Sequence, residues 1–282
     1  MKLSQSSLPD YFTIADATSS WYTKPTNTFN FVDRNSATLI VTVGDSWTWG
    51  CDLTEYDVND QYRIHNVYGN QIAQKINADW LNLALPATGN FWLTEQVKDL
   101  ARIIPMLEYD CIYVICTFTE AGRWFNTKYD LDIDYISWFK NNIRAKEDFN
   151  QLLVMLNQRC VTQIQTALTF DHVHLRIGTN MVEHIGFDDL TAEQLLVKPW
   201  YQTMGCTDDV YAYMVIDGVK SLLRVPEFLS PEHTVLFKEW MLDVMPTADT
   251  RLQILENPDK FDRYHPKTLG HTQWAEYILS TL

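Results

Sequence analysis

Apolar and polar positions come in blocks along this chain, and the blocks change period. Ala37-Thr38-Leu39-Ile40-Val41-Thr42-Val43 is a short β-branched run, which predicts a buried strand. Ile64, Val67, Tyr68, Ile72 and Ile76 recur at helical spacing and predict a helix over 62–77. A second strand is expected over Asp79–Leu85, stopped by Pro86. A helix follows over 92–107. Cys111–Cys116 then reads as a third strand, apolar throughout as expected of one buried on both faces. Phe149, Leu152, Leu153, Leu156, Cys160 and Ile164 predict a long helix over 146–168, and Val173–Ile177 a fourth strand. Leu269, Trp274, Ala275, Ile278, Leu279 and Leu282 line one side of a final helix over 268–282. Residues 184–256 give short helical patterns and a strand near 234–237.

Strands alternating with helices imply an α/β class with a central parallel sheet covered on both faces. Residues 1–36 are polar and broken by Pro9 and Pro25, so they read as an N-terminal arm. Residues 37–282 then form one domain, with insertions near 121–145 and 184–256.

The balance of charge narrows the partners. A formal charge of −14 repels phosphate, so neither nucleic acid nor an anionic membrane surface is an expected partner. No apolar segment approaches the ~18 residues of a membrane span, and the first residues lack the apolar core of a secretory leader. Five cysteines, Cys51, Cys111, Cys116, Cys160 and Cys206, are odd in number and form no Cys-x-x-Cys pair. That pattern favours reduced thiols in a cytoplasmic or virion-associated protein. Homo-oligomerisation is left open. No glycine fingerprint for dinucleotides or phosphates occurs, so no cofactor is expected. His172-x-His174 beside Asp171 offers two metal-type ligands, without a third at recognisable spacing.

The chemistry concentrates at Gly44-Asp45-Ser46-Trp47-Thr48-Trp49-Gly50, directly after the first strand. Gly44 is expected to let the backbone turn sharply. Ser46 is left at the strand's carboxyl end, where open α/β sheets place ligands. A serine there is a nucleophile if an imidazole reaches it. Phe261-Asp262-Arg263-Tyr264-His265-Pro266 supplies a candidate base and a carboxylate to orient it, three residues apart, so that one turn brings both to the same side. Blander roles compete: Ser46 as a helix cap, Asp45 as a support of the turn, His265 as a packed surface residue, His271 as a structural residue of the last helix.

Gly44-Asp45-Ser46 early in the chain and Asp262-Arg263-Tyr264-His265 before the final helix resemble the first and last blocks of the SGNH (GDSL) hydrolases. These are serine esterases, lipases and carbohydrate deacetylases on a flavodoxin-like three-layer α/β/α sandwich. The resemblance covers roughly 37–120, 172–182 and 258–282. It implies Ser46 as nucleophile, His265 as general base and then acid, and Asp262 as its orienter. For the oxyanion hole it implies the Ser46 N–H, a backbone N–H after the second strand, and an Asn side chain after the third. Ala87 aligns with the family's glycine in the second block, with Gly89 two residues on. The third block departs: Thr117-Phe118-Thr119-Glu120 stands where the family has Gly-x-Asn-Asp. Thr119 through its hydroxyl, or Asn90 from the neighbouring loop, are the substitutes. Gly178-Thr179-Asn180 has the missing composition but follows the fourth strand.

Glu120 and Arg123 lie beyond the third strand and are candidates for substrate recognition, or a local ion pair. Trp47, Trp49, Trp92, Trp124 and Phe125 fall near strand ends and suit either a cleft or the core. The expected activity is hydrolysis of an ester, an O-acetylated carbohydrate or a short acyl ester, through an acyl-serine. The alternative is a weak or inactive member of the fold serving as a binding or structural subunit, for example in a phage particle.

Overall fold

This computed structural model describes residues 1–12, 29–51, 53, 61–86, 88–119, 146–180, 186–203, 212–216, 219–223, 261–262, 265–266 and 268–282. The first strands are β1 (Asn30–Val32), β2 (Thr38–Gly44), β3 (Asp79–Asn82), β4 (Cys111–Phe118) and β5 (Val173–Thr179). They form one sheet in the order β1-β3-β2-β4-β5. β2, β3, β4 and β5 are mutually parallel, and β1 pairs antiparallel with β3 at the edge. Counted along the chain, the parallel strands therefore lie second, first, third, fourth, which is the flavodoxin-like order.

The helices are α1 (Leu8–Tyr11), α2 (Ser46–Trp49), α3 (Gln61–Asn66), α4 (Tyr68–Lys75), α5 (Asn90–Ile103), α6 (Lys146–Ala167), α7 (Trp200–Thr203) and α8 (Thr268–Leu279). Strand residues alternate between two cores, as the pleat requires. Leu39, Val41, Val43, Val114 and Cys116 join Val97 and Leu100 of α5 and Val161 and Ile164 of α6. Ile40, Trp80 and Ile115 join Ile72 of α4, Trp200 of α7, and Trp274 and Ile278 of α8. The sheet is thus the middle of three layers, and its strands are apolar on both faces for that reason. Among the described residues no helix is long and apolar enough to cross a membrane.

Several elements differ from their sequence expectations. The helix expected over 62–77 breaks at Val67, whose φ −70 and ψ 141 are extended. α4 then approaches the sheet so closely that a Cβ on Gly69 would lie 2.4 Å from Trp80 Nε1 and 2.5 Å from Thr42 Cγ2. The ladder of β3 ends at Asn82, although the Leu83 and Leu85 N–H groups still donate to Thr42 O at 2.9 Å and Gly44 O at 3.1 Å. α5 begins two residues before its expected start, and its last turn tightens to 3-10 geometry over Ile104–Met106, with Pro105 inside it.

The stretch read as an arm contributes to the main core. Leu3, Leu8, Phe12 and Phe29 are buried there, and β1 extends the sheet. Four large apolar anchors are enough for this, and an average over a polar segment hides them. Within 184–256 lies an antiparallel hairpin, β6 (Ala212–Ile216) and β7 (Val219–Leu223), which no pattern indicated. The strand expected near 234–237 lies outside the described residues.

Candidate active site

β2 and β4 flank the point at which the strand order reverses, and such switch points are where doubly wound sheets hold ligands at the strands' carboxyl ends. Gly44 closes β2 opposite Thr117 of β4. The reason for a glycine there is space, not turning freedom, because its φ is not left-handed. A Cβ on Gly44 would lie 2.3 Å from Thr48 Oγ1, 2.8 Å from Thr48 Cβ and 2.9 Å from Thr117 O. The missing side chain lets α2 sit directly on the strand ends.

Asp45 caps α2. Its Oδ1 accepts the Trp47 N–H at 3.0 Å, as expected of an aspartate at an N-cap. Ser46 is therefore the first residue of the helix and not its cap, and it is 4% exposed. Gly50 ends the turn in the left-handed region at φ 87, and the Gly50 and Cys51 N–H groups both donate to Ser46 O. The peptide carrying the candidate nucleophile is thus bonded on both sides.

The second wall comes from the start of α5. Thr88 Oγ1 donates to Leu85 O at 2.8 Å, and Gly89 is the helix N-cap. First-turn N–H groups and the helix dipole make such a terminus favourable to negative charge. Asn90 behaves differently from its expected part as an oxyanion donor. Its Oδ1 accepts the Thr119 N–H, and its Nδ2 donates to Thr119 O and to Asn157 Oδ1, each at 3.0 Å. Both amide hydrogens are spent inside the fold, so Asn90 clamps the end of β4 to α5 and α6. Thr119 itself is buried beside the site. Ala87, Glu120, Arg123, Trp124 and Phe125 lie outside the described residues.

The last block returns to this place. β8 (Phe261–Asp262) and β9 (His265–Pro266) form a two-residue antiparallel ladder in which Asp262 pairs with His265. A strand ladder thus brings the two positions together. Cα atoms of β9 lie within 8 Å of Cα atoms in α2 and of Cα atoms in α8. Backbones more than two hundred positions apart in sequence are therefore neighbours here.

Of the tryptophans that suited either a cleft or the core, Trp47 and Trp49 are core residues. Trp47 is 1% exposed and meets Trp200 edge-on, with ring centroids 5.3 Å apart. Trp200 in turn stacks on Trp274 at 5.6 Å. The Trp49 ring carries the buried Arg63 guanidinium at 3.8 Å, and Arg63 donates to Trp49 O at 2.7 Å and Asn30 Oδ1 at 2.8 Å. Trp92 packs half-buried against the main core, next to Phe91. Below α2 the Tyr68 hydroxyl lies 3.1 Å from Thr117 Oγ1, and burial pushes its phenol well above the ordinary value. His271 is buried in the aromatic layer, where Nδ1 accepts the Tyr68 N–H at 3.3 Å. His174 stacks on Tyr113 at 5.1 Å, and among the described residues no three His, Cys, Asp or Glu side chains gather as a metal site.

One polar contact was not foreseen in its actual form. Asn180, fully buried at the end of β5, donates through Nδ2 to Asp45 Oδ2 at 2.9 Å. The composition of Gly178-Thr179-Asn180 suggested an oxyanion block, its place after the fourth strand spoke against that role, and neither pointed to Asp45.

No family model matches the chain, and no curated protein matches it. Solved structures do. The lipase Lip_vut3 from a goat rumen metagenome is 12% identical, with 86% of this chain and 97% of that chain covered and a TM-score of 0.40. A member of the lipolytic protein G-D-S-L family from Veillonella parvula is 13% identical, covering 86% and 97%, with a TM-score of 0.35. The acetylxylan esterase Axe2 from Geobacillus stearothermophilus is 12% identical, covering 87% and 94%, with a TM-score of 0.34. At TM-scores of this size the fold assignment rests on the chain's own strand order and cores. These three solved structures are a lipase, a G-D-S-L lipolytic protein and an acetylxylan esterase, and this chain's own sheet is α/β in flavodoxin-like order.

Proposed function

We propose that this chain is a serine ester hydrolase. Ser46 Oγ attacks the ester carbonyl while its proton passes to the His265 imidazole, and Asp262 orients and steadies the resulting imidazolium. The tetrahedral intermediate collapses, and the departing alcohol takes the proton from His265. Water, deprotonated by the same imidazole, then releases the acid and restores Ser46.

The observation that carries this reading is the approach of the β9 backbone to α2, with Asp262 and His265 paired across their ladder. For the oxyanion we assign the Ser46 N–H in the first turn of α2, together with the backbone at Ala87 or Gly89 and the Thr119 hydroxyl. The substrate class is an ester with a short acyl group, and O-acetyl groups on carbohydrate are favoured. Long stretches of chain follow β4 and β5 at the carboxyl edge of the sheet, where loops shape clefts for a polar leaving group.

A fluorophosphonate probe tests the nucleophile. The wild-type protein labels and hydrolyses p-nitrophenyl acetate, while Ser46→Ala does neither. The labelling rate rises with pH through the titration of His265, because only the neutral imidazole accepts the proton. A folded wild-type protein that takes no label identifies instead a binding or structural subunit, and a label that persists in Ser46→Ala removes Ser46 from its role.

A further inference from the structure

Asp45 does two things at once. Its Oδ1 holds the first turn of α2 through the Trp47 N–H, and its Oδ2 accepts from Asn180 Nδ2 at 2.9 Å. Both residues are buried, Asp45 at 1% exposure and Asn180 at 0%. Asn180 is itself fixed, because its backbone N–H donates to Phe118 O at 3.0 Å at the end of the β4–β5 ladder. β4 lies between β2 and β5. The Asn180 side chain therefore reaches over the end of one strand to hold the turn that leaves another.

We propose that Asn180 is a positioning residue for Ser46: through the Asp45 carboxylate it sets the orientation of α2, and with it the direction of the Ser46 hydroxyl. This rests on the assignment of Ser46 as nucleophile. The Asp45 side chain can rotate only by giving up either its cap or its bond to β5. A charge-assisted hydrogen bond in a buried site is short and directional, so it fixes an angle better than packing alone. The residue immediately after Asp45 is Ser46, which leaves one Cα–C bond and one peptide between the anchor and the nucleophile's own Cα. An error of about 1 Å in such a position is enough to cost about a hundredfold in rate.

The polarity of the pair supplies the test. Asn180→Asp sets two carboxylates against each other, and Asp45→Asn sets amide N–H groups against amide N–H groups. The double variant Asp45→Asn/Asn180→Asp restores both of these bonds with the polarity exchanged: the new amide at position 45 accepts the Trp47 N–H through its oxygen and donates through its nitrogen to the new carboxylate at position 180. We expect each single variant to label with fluorophosphonate about tenfold or more slowly at full amplitude, and the double variant to return to within about threefold of wild type. Loss of folded protein lowers amplitude, whereas a displaced hydroxyl lowers the rate constant, so the two are separated. Hydrogen exchange at the Trp49 and Gly50 amides, which donate to Asp45 O and Ser46 O, reads α2 directly. It should speed up in the singles and slow again in the double. Unchanged rates in the singles, or a double variant as slow as either single, overturn the proposal. A wild-type protein that takes no label overturns the nucleophile assignment instead, and the exchange pattern still decides whether Asn180 holds α2.

Discussion

Gly44→Ala is the smallest change that separates the geometric account of the nucleophile turn from a merely compositional one. The added methyl would gain about 0.8 kcal/mol if it were buried without overlap. It is not free of overlap. It would meet Thr48 Oγ1 at 2.3 Å, Thr48 Cβ at 2.8 Å and Thr117 O at 2.9 Å. The hydroxyl can rotate away. Thr48 Cβ cannot without moving α2, and Thr117 O belongs to the backbone of β4, held on both sides by β2 and β5. α2 must therefore lift by several tenths of an ångström. Overpacking of this kind costs about 1–3 kcal/mol, and the upper half of that range is expected because one of the three contacts is backbone. Urea unfolding measures this as a lowered midpoint at constant slope. Removing the Thr48 hydroxyl leaves two of the three overlaps, so Thr48→Ala should restore less than half of the loss. The same lift displaces Ser46, so fluorophosphonate labelling should slow by more than the stability loss alone predicts. A Gly44→Ala protein within about 0.5 kcal/mol of wild type, labelling at the wild-type rate, would refute the idea that close approach dictates this glycine.

Two further outcomes follow from the buried groups. Burial raises the Cys160 thiol to about 11, and it pushes Cys116 and the Tyr68 phenol upward in the same direction. Between about pH 9 and 11 the unfolded chain therefore loses protons that the folded chain keeps, so stability falls as pH rises, by about 1.4 kcal/mol per unit for each group in full play. Urea midpoints measured across that range should decline, and Cys160→Ala should make the decline shallower; a flat profile would contradict the burial. Arg63→Lys keeps the charge but loses the fork to Trp49 O and Asn30 Oδ1 and the face of the Trp49 ring, so it should cost about 2–4 kcal/mol in the same assay, and a loss below about 1 would mean the guanidinium geometry does not matter.

The sequence by itself determined the local elements and named the candidates at the two ends of the proposed site. β-branched runs bounded by glycine and proline have few alternatives to a buried strand, so β2, β4 and β5 were legible to within a few residues. So was α6, whose apolar positions keep helical spacing over many turns. Gly44-Asp45-Ser46 and Asp262–His265 stood out as candidates because the proposed chemistry needs those residue types. The order of the strands was not written in the local pattern, and only the resemblance carried the flavodoxin-like arrangement that the sheet has. It depends on which faces cover which, and that is settled by burial summed over both cores. The use of each polar side chain was decided at the same level. Asn90 was read as a donor for an oxyanion and Asn180 was set aside for its place in the order, yet each is bound to a partner far along the chain, Thr119 and Asn157 for one and Asp45 for the other. Trp47 and Trp49 suited a cleft or the core equally because they follow a strand end, and the close seat of α2 on Gly44 turns one into the aromatic layer and sets the other under Arg63. A side chain's chemistry is written in its own residue. What that chemistry is spent on depends on the neighbours that folding brings within about 3 Å, and a linear pattern carries no distances.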